Sequence, residues 1–256
     1  MARPASPMCL IQKIAKLAVQ NFSRDPYKSK GLVGTELEQI KKLVSNITVS
    51  DLNIDPAILE DRGPFNPRID KAPVTYMQIY EDCDVTICVF ILKNGAKLPL
   101  HDHPEMNGIL KVIHGSISVQ SYTMKCNSPN KIIGNEKPFS GIYPAIKHPC
   151  NKVSSTDPPC PLSPESHNLH EIASVGGLAA FLDILSPPYG LDRRNGMERD
   201  CHYYEEIEVK LGENVENNCV YLESIPTPLE FWCDQTEYTG PPLVDVGLVT
   251  NGQSTS

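Results

Sequence analysis

The chain has 256 residues, enough to bury a full core, and an all-β barrel of this length folds as a single domain. Its formal net charge of -8 and pI near 5.4 exclude the clustered Lys and Arg of a nucleic-acid surface, leaving small or cationic partners. Twenty-three prolines and sixteen glycines beside 40% hydrophobic residues indicate many short elements joined by turns, as in β architectures.

Nine cysteines, an odd number without a CxxC pair, point to neither a disulfide framework nor a cysteine zinc site. Reduced thiols fit a cytoplasmic protein, with the nucleus also open to it. Lys13 and Lys16 interrupt the apolar content of 9–22, so no signal peptide is read there, and no apolar run is long enough to span a membrane.

Leu10, Ile11, Ile14, Leu17 and Ala18 recur at helical spacing, with Gln12, Lys13, Lys16 and Gln20 on the other face, which predicts an amphipathic helix docked on the domain. Arg24 to Gly34 reads as a loop. Thr35 and Glu38 form a capping-box pattern ahead of a second helix whose apolar face is Leu37, Ile40, Leu43 and Val44. Residues 1–50 are therefore expected as helices packed on a barrel. Pro56, Pro64, Pro67 and Pro73 make 51–73 an extended connector across the surface.

A β-barrel is expected over 74–239 and a disordered tail over 240–256. Val74 to Tyr80, Val85 to Leu92 and Ser116 to Met124 read as strands, with a weaker one near Gly141 to Ile146. Prolines at 149, 158, 159, 161 and 164 forbid central pairing between Lys147 and Pro164. Asn168 to Ala173 and Leu178 to Leu185 are two strands joined by a turn at Val175 to Gly177, and Tyr203 to Val209 and Val220 to Ile225 are two more. Some nine strands behind two helices imply a mainly β jelly-roll barrel, and the missing crossover helices exclude a parallel α/β fold.

The chemistry is concentrated in Gly95 to Gly115, which reads GAKLPLHDHPEMNGILKVIHG. His101 and His103 are two apart on a predicted strand, so both imidazoles face one way and reach one ion while Asp102 faces away. Gly95, Gly108 and Gly115 fall where turns would fold this stretch into a hairpin. A third ligand is needed. His114 beside its turn and His148 among prolines read as solvated. His167 and His170 are three apart, so only one enters the barrel; His170, flanked by Leu169 and Ile172 in NLHEIA, is the choice over His167 in the preceding polar loop, with His202 in reserve. Glu171 then points away from the metal.

Gly95, His101, His103 and Gly115 resemble the first cupin motif, and His170 stands where the second motif carries its histidine. Asn107 and Gly108 occupy the places of the usual cupin glutamate. Further segments, LIQKIAKLA, DLNI, PVTYMQIYE, PLHDHPEMNGILKV, NLHEI, AAFLDILSPPY, RDCHYY and FWC, resemble the cysteamine (2-aminoethanethiol) dioxygenases, related to the plant cysteine oxidases. The likeness runs from Leu10 to Cys233.

That resemblance implies a cupin double-stranded β-helix, Fe(II) on His101, His103 and His170, and O2 as co-substrate. It implies oxidation of the sulfur of cysteamine, or of proteins and peptides beginning with cysteine, to a sulfinic acid, with a role in oxygen sensing through degradation of the oxidised proteins. It also implies a pocket role for Tyr189 and a thioether between Cys201 and Tyr203. Asp183, an acid inside the apolar strand AAFLDIL, is costly unless paired, and is expected either to meet the substrate amine or to make a structural hydrogen bond. A monomer without nucleic-acid or membrane partners is expected. Three histidines also suit a zinc hydrolase or hydratase, or a cupin that binds a ligand without turnover.

Overall fold

The computed structural model describes residues 7–22, 35–125, 141–192, 196–208 and 218–243. Two helices, α1 (Leu10–Phe22) and α2 (Thr35–Val44), precede the strands. The first strands are β1 (Val74–Glu81), β2 (Thr86–Leu92), β3 (Lys97–Asp102), β4 (Asn107–His114), β5 (Ser116–Met124), β6 (Ile142–Lys147), β7 (Asn151–Ser154) and β8 (Cys160–Leu162). They continue with β9 (Leu169–Ser174), β10 (Ala179–Ser186), β11 (Gly190–Asp192), β12 (Met197–Arg199), β13 (Tyr203–Ile207), β14 (Cys219–Ile225) and β15 (Cys233–Gln235). No described helix is long and apolar enough to cross a membrane.

One sheet runs β15-β1-β2-β10-β4-β8 and the other β6-β14-β13-β3-β9-β5-β7; β11 and β12 form a separate ribbon. From β2 through β5, and again from β8 through β10, successive strands alternate between the two large sheets. This winding makes the domain a cupin-type double-stranded β-helix. It also corrects the expected histidine hairpin: β3 and β4 lie in opposite sheets, and Gly108 sits inside β4, where a side chain would run into Leu162 and Leu185. The turn at Val175 to Gly177 likewise carries the chain from one sheet to the other. The proline-rich stretch gives β7 and β8, each at the outer edge of its sheet, because proline cannot donate to a central ladder.

Side-chain alternation divides the apolar residues among three clusters. Ile87, Val89, Ile91, Leu182 and Ile184 face out from the first sheet and are covered by Ile11, Ile14, Ala18, Ile40 and Val44 of the helices. Leu92, Leu98, Leu110, Val112, Ile117, Ile172 and Phe181 fill the space between the sheets. The third cluster has a different origin. In the second sheet β6 pairs with both β14 and β5, so six strands close into a ring. Leu100, Leu169, Tyr122, Ala145, Leu222 and Tyr204 are buried together there, one from each strand of that ring.

The connector is less superficial than its prolines suggest. Leu52, Ile54 and Leu59 join the helix-covered cluster, and Pro56–Leu59 is a 3-10 turn capped by Asp55, since proline suits a first helical position. The tail also begins ordered: Leu243 packs on the same cluster and the Pro242 carbonyl accepts from Gln12 at 3.0 Å. Residues 244–256 lie outside the described ones.

Candidate metal centre

His101 and His170 are direct partners across β3 and β9, and both turn into the space between the sheets because Leu100 and Leu169 take the ring side. His103 lies one residue beyond β3, yet its N–H still donates to the Asn168 carbonyl at 2.8 Å, so the pairing carries it to the same face. All three are buried, and one ring nitrogen from each lies within 4.8 Å of the others.

Hydrogen bonds decide which nitrogens are free. Nδ1 of His101 is 2.8 Å from the Pro99 carbonyl, which only accepts, so that nitrogen carries the proton. The Tyr189 hydroxyl donates to the Asp102 carbonyl at 2.6 Å and therefore accepts from Nδ1 of His103 at 2.9 Å. Each of these imidazoles is left with a bare Nε2. Nε2 of His103 lies 3.0 Å from Nε2 of His170, where two lone pairs repel unless a proton or a cation lies between them. Burial holds all three imidazoles below their ordinary pKa, His103 and His170 well below, with the neighbouring imidazoles adding to the effect on those two. A neutral, convergent three-nitrogen set fits a divalent transition metal.

The PCO_ADO family model matches residues 43–243. The chain belongs to the PCO_ADO family. It is 34% identical over 255 residues to the 2-aminoethanethiol dioxygenase of Mus musculus, covering 92% of this chain and 96% of that one. The Homo sapiens 2-aminoethanethiol dioxygenase is 36% identical over 230 residues, 80% of each chain. Plant cysteine oxidase 2 of Arabidopsis thaliana is 26% identical over 199 residues, 77% of this chain and 66% of its own.

In this PCO_ADO protein the wall facing the histidines is the first sheet. Asp183 lies on the inner face of β10, 4% exposed, and its Oδ1 has no hydrogen-bond partner among the described residues. Burial pushes its carboxyl up to about 7, opposed by the Ile184 N–H. A buried carboxyl oxygen without a partner among the described residues is uncommon and marks a place where a further group could bond. Tyr189 is half-buried, and desolvation, then Cys201, raise its hydroxyl well above the ordinary phenol value, so it stays a donor.

The Cys201 thiol lies near the hydroxyls of both Tyr189 and Tyr203, and burial pushes it up to about 11. Tyr203 opens β13 as the direct partner of His101, with ring centroids 6.4 Å apart. Cys201 lies just before that strand, and its approach to Tyr203 spans the strand's entry.

Three of the other four histidines, His202, His148 and His167, have side-chain partners. His202 is exposed; its N–H donates to Asp102 Oδ1 at 2.8 Å, and its Nδ1 lies 3.2 Å from Oδ2 of the same carboxylate. Asp102 also accepts from Tyr204 at 2.9 Å, facing away from the centre. Glu171 is ion-paired to Lys97 at 2.8 Å outside the barrel. His148, read as solvated, is half-buried in its loop: its ring lies 4.0 Å from that of His167, with His148 bonded to Thr123 and His167 to Ser121. The contact joins segments nineteen positions apart through β5, which no local pattern in the sequence announces.

Proposed function

We propose that this protein is an iron-dependent thiol dioxygenase that adds both atoms of O2 to the sulfur of 2-aminothiols, giving sulfinic acids. Cysteamine and the N-terminal cysteine of proteins or peptides share the 2-aminothiol end and are its substrates. The observation that carries this reading is a buried three-imidazole set on one sheet facing a buried, half-unpartnered carboxyl on the other. One end suits a sulfur and the other an ammonium.

His101, His103 and His170 would hold the metal through Nε2. An Fe(II) ion there supplies Lewis acidity toward a thiol and one-electron chemistry toward dioxygen. The balance is RSH + O2 → RSO2H: sulfur gives up four electrons, so no reducing co-substrate is required.

The chain's own groups orient the reactants. Asp183 takes the substrate ammonium, gaining the donor its Oδ1 lacks and becoming fully ionised. Tyr189 fixes the tautomer of His103 through its hydroxyl, and Pro99 does the same for His101. Leu98, Leu110, Ile172 and Phe181 keep the floor of the site apolar and exclude bulk water. A thioether between Cys201 Sγ and the ring carbon beside the Tyr203 hydroxyl replaces one S–H and one C–H bond; dioxygen accepts the two electrons and two protons. Oxidation of an N-terminal cysteine places a sulfinate on a protein terminus, and this reading assigns the enzyme to oxygen sensing through degradation of such proteins.

The test is oxygen consumption by protein loaded anaerobically with Fe(II), using cysteamine, cysteine and a peptide beginning with cysteine. The expected product is heavier by two oxygen atoms. Absence of uptake from fully loaded protein with all three overturns the reading.

A further inference from the structure

Asp183 does not stand alone on its wall. Its direct partner on β2 is Cys88 and its partner on β4 is Leu110. Cys88 is 2% exposed, and it faces inward because Ile87 and Val89 take the helix-covered side. In the next rung Phe90 pairs with Phe181, their rings stacked with centroids 5.4 Å apart, and Tyr76 leans on Phe90 at 5.3 Å. From there the Tyr76 hydroxyl comes near the Cys88 thiol, one rung away. The Asp183 side chain is thus flanked by a buried sulfur and Leu110, with an aromatic pair in the next rung.

We propose that Cys88 is a specificity-determining residue that limits the amine accepted at Asp183 to an unsubstituted primary ammonium. The inference rests on the reading of Asp183 as the ammonium acceptor. An ammonium that donates to Asp183 turns its other N–H groups toward the surrounding walls, and one wall is the sulfur. A hydrogen fits against that sulfur, while a methyl group on nitrogen requires the same volume. Burial and the Asp183 charge keep Cys88 a neutral thiol, so it does not compete as an anion for the ammonium.

The test compares cysteamine with N-methylcysteamine in the Fe(II)-loaded full chain, by the ratio of kcat/KM and by anaerobic calorimetric Kd, which reads binding without turnover. In Cys88→Ala the preference for cysteamine falls by about 10-fold, the usual scale for one methyl-sized group in a pocket, and the change appears in Kd. Cys88→Val, which fills the space beside Asp183, weakens binding of both amines. Asp183→Asn, measured with cysteamine against 2-mercaptoethanol, separates the two claims. If it abolishes the preference for the amine while Cys88→Ala and Cys88→Val leave the N-methyl ratio and both Kd values as in the unaltered protein, the role of Cys88 is refuted and that of Asp183 stands. If the preference for the amine survives Asp183→Asn, both fall.

Discussion

The Tyr189 hydroxyl lies between the Asp102 carbonyl, 2.6 Å away, and Nδ1 of His103, 2.9 Å away, so a residue from the loop after β10 sets the tautomer of a histidine from the end of β3. Tyr189→Phe removes the acceptor for that Nδ1 proton and frees the ring to turn. Metal affinity is expected to fall by about 10-fold or more, as when other groups that orient a ligand are lost. Competitive metal titration checks it; unchanged affinity would mean that packing alone orients His103.

Replacing His101, His103 or His170 with Ala is expected to abolish metal retention and thiol oxidation together. His202→Ala should leave the bound metal in place, since that side chain is exposed and engaged with Asp102. Elemental analysis of the purified variants decides between His170 and His202 as the third ligand.

Asp183 makes a pH prediction. Its folded value of about 7 lies above that of an unfolded aspartate, so the folded state holds the proton more tightly. The stability this contributes is complete below the unfolded pKa and is lost as pH rises through about 7, by up to about 4 kcal/mol. Asp183→Asn is expected to flatten this decline and to be the more stable protein at pH 8. Urea unfolding at pH 5 and pH 8 reads the difference, and parallel slopes for both proteins would count against it.

The same group links substrate binding to protons. At pH 6 the empty site is largely protonated, so binding an ammonium releases a proton, whereas at pH 8 it does not. Anaerobic titration with cysteamine in two buffers of different ionisation enthalpy should show, beyond the proton that a metal-bound thiol loses at either pH, an extra release at the lower pH. Asp183→Asn should abolish it.

Gly115 joins β4 to β5 at φ 67°, and a Cβ there would lie 3.0 Å from the Ala179 Cα and against the Leu178 carbonyl. Gly115→Ala combines left-handed strain with a backbone clash and is expected to destabilise by about 2 kcal/mol or more. Thermal unfolding measures this directly. A value near zero would require β10 to shift away from the turn.

Much of the site was legible because its signals are local. His101 and His103 share a face by spacing alone, and His170 stands out from His167 by its apolar neighbours. The longer strands followed from alternation, while the short β7, β8, β11, β12 and β15 did not. What the sequence conceals is the choice of partner. Gly95 to Gly115 has the composition of a hairpin, but β3 and β4 each pair in a different sheet, and only the winding of the whole domain decides that. Cys88 in an apolar strand reads as ordinary core; its place opposite Asp183 follows from a pairing ninety-five positions apart. The ring contact of His148 with His167 needs β5 between them and is equally non-local.

The ring closed by β6 has a consequence for how the protein behaves in a crowd. An open sheet presents a row of unused amide and carbonyl groups along which a second molecule can lay a strand, the usual beginning of edge-to-edge aggregation. Here β3 and β9, which carry His101 and His170, are flanked on both sides by strands that are themselves enclosed. The backbone around the metal ligands is therefore shielded from a foreign strand that could slip the register and turn both imidazoles to the wrong face.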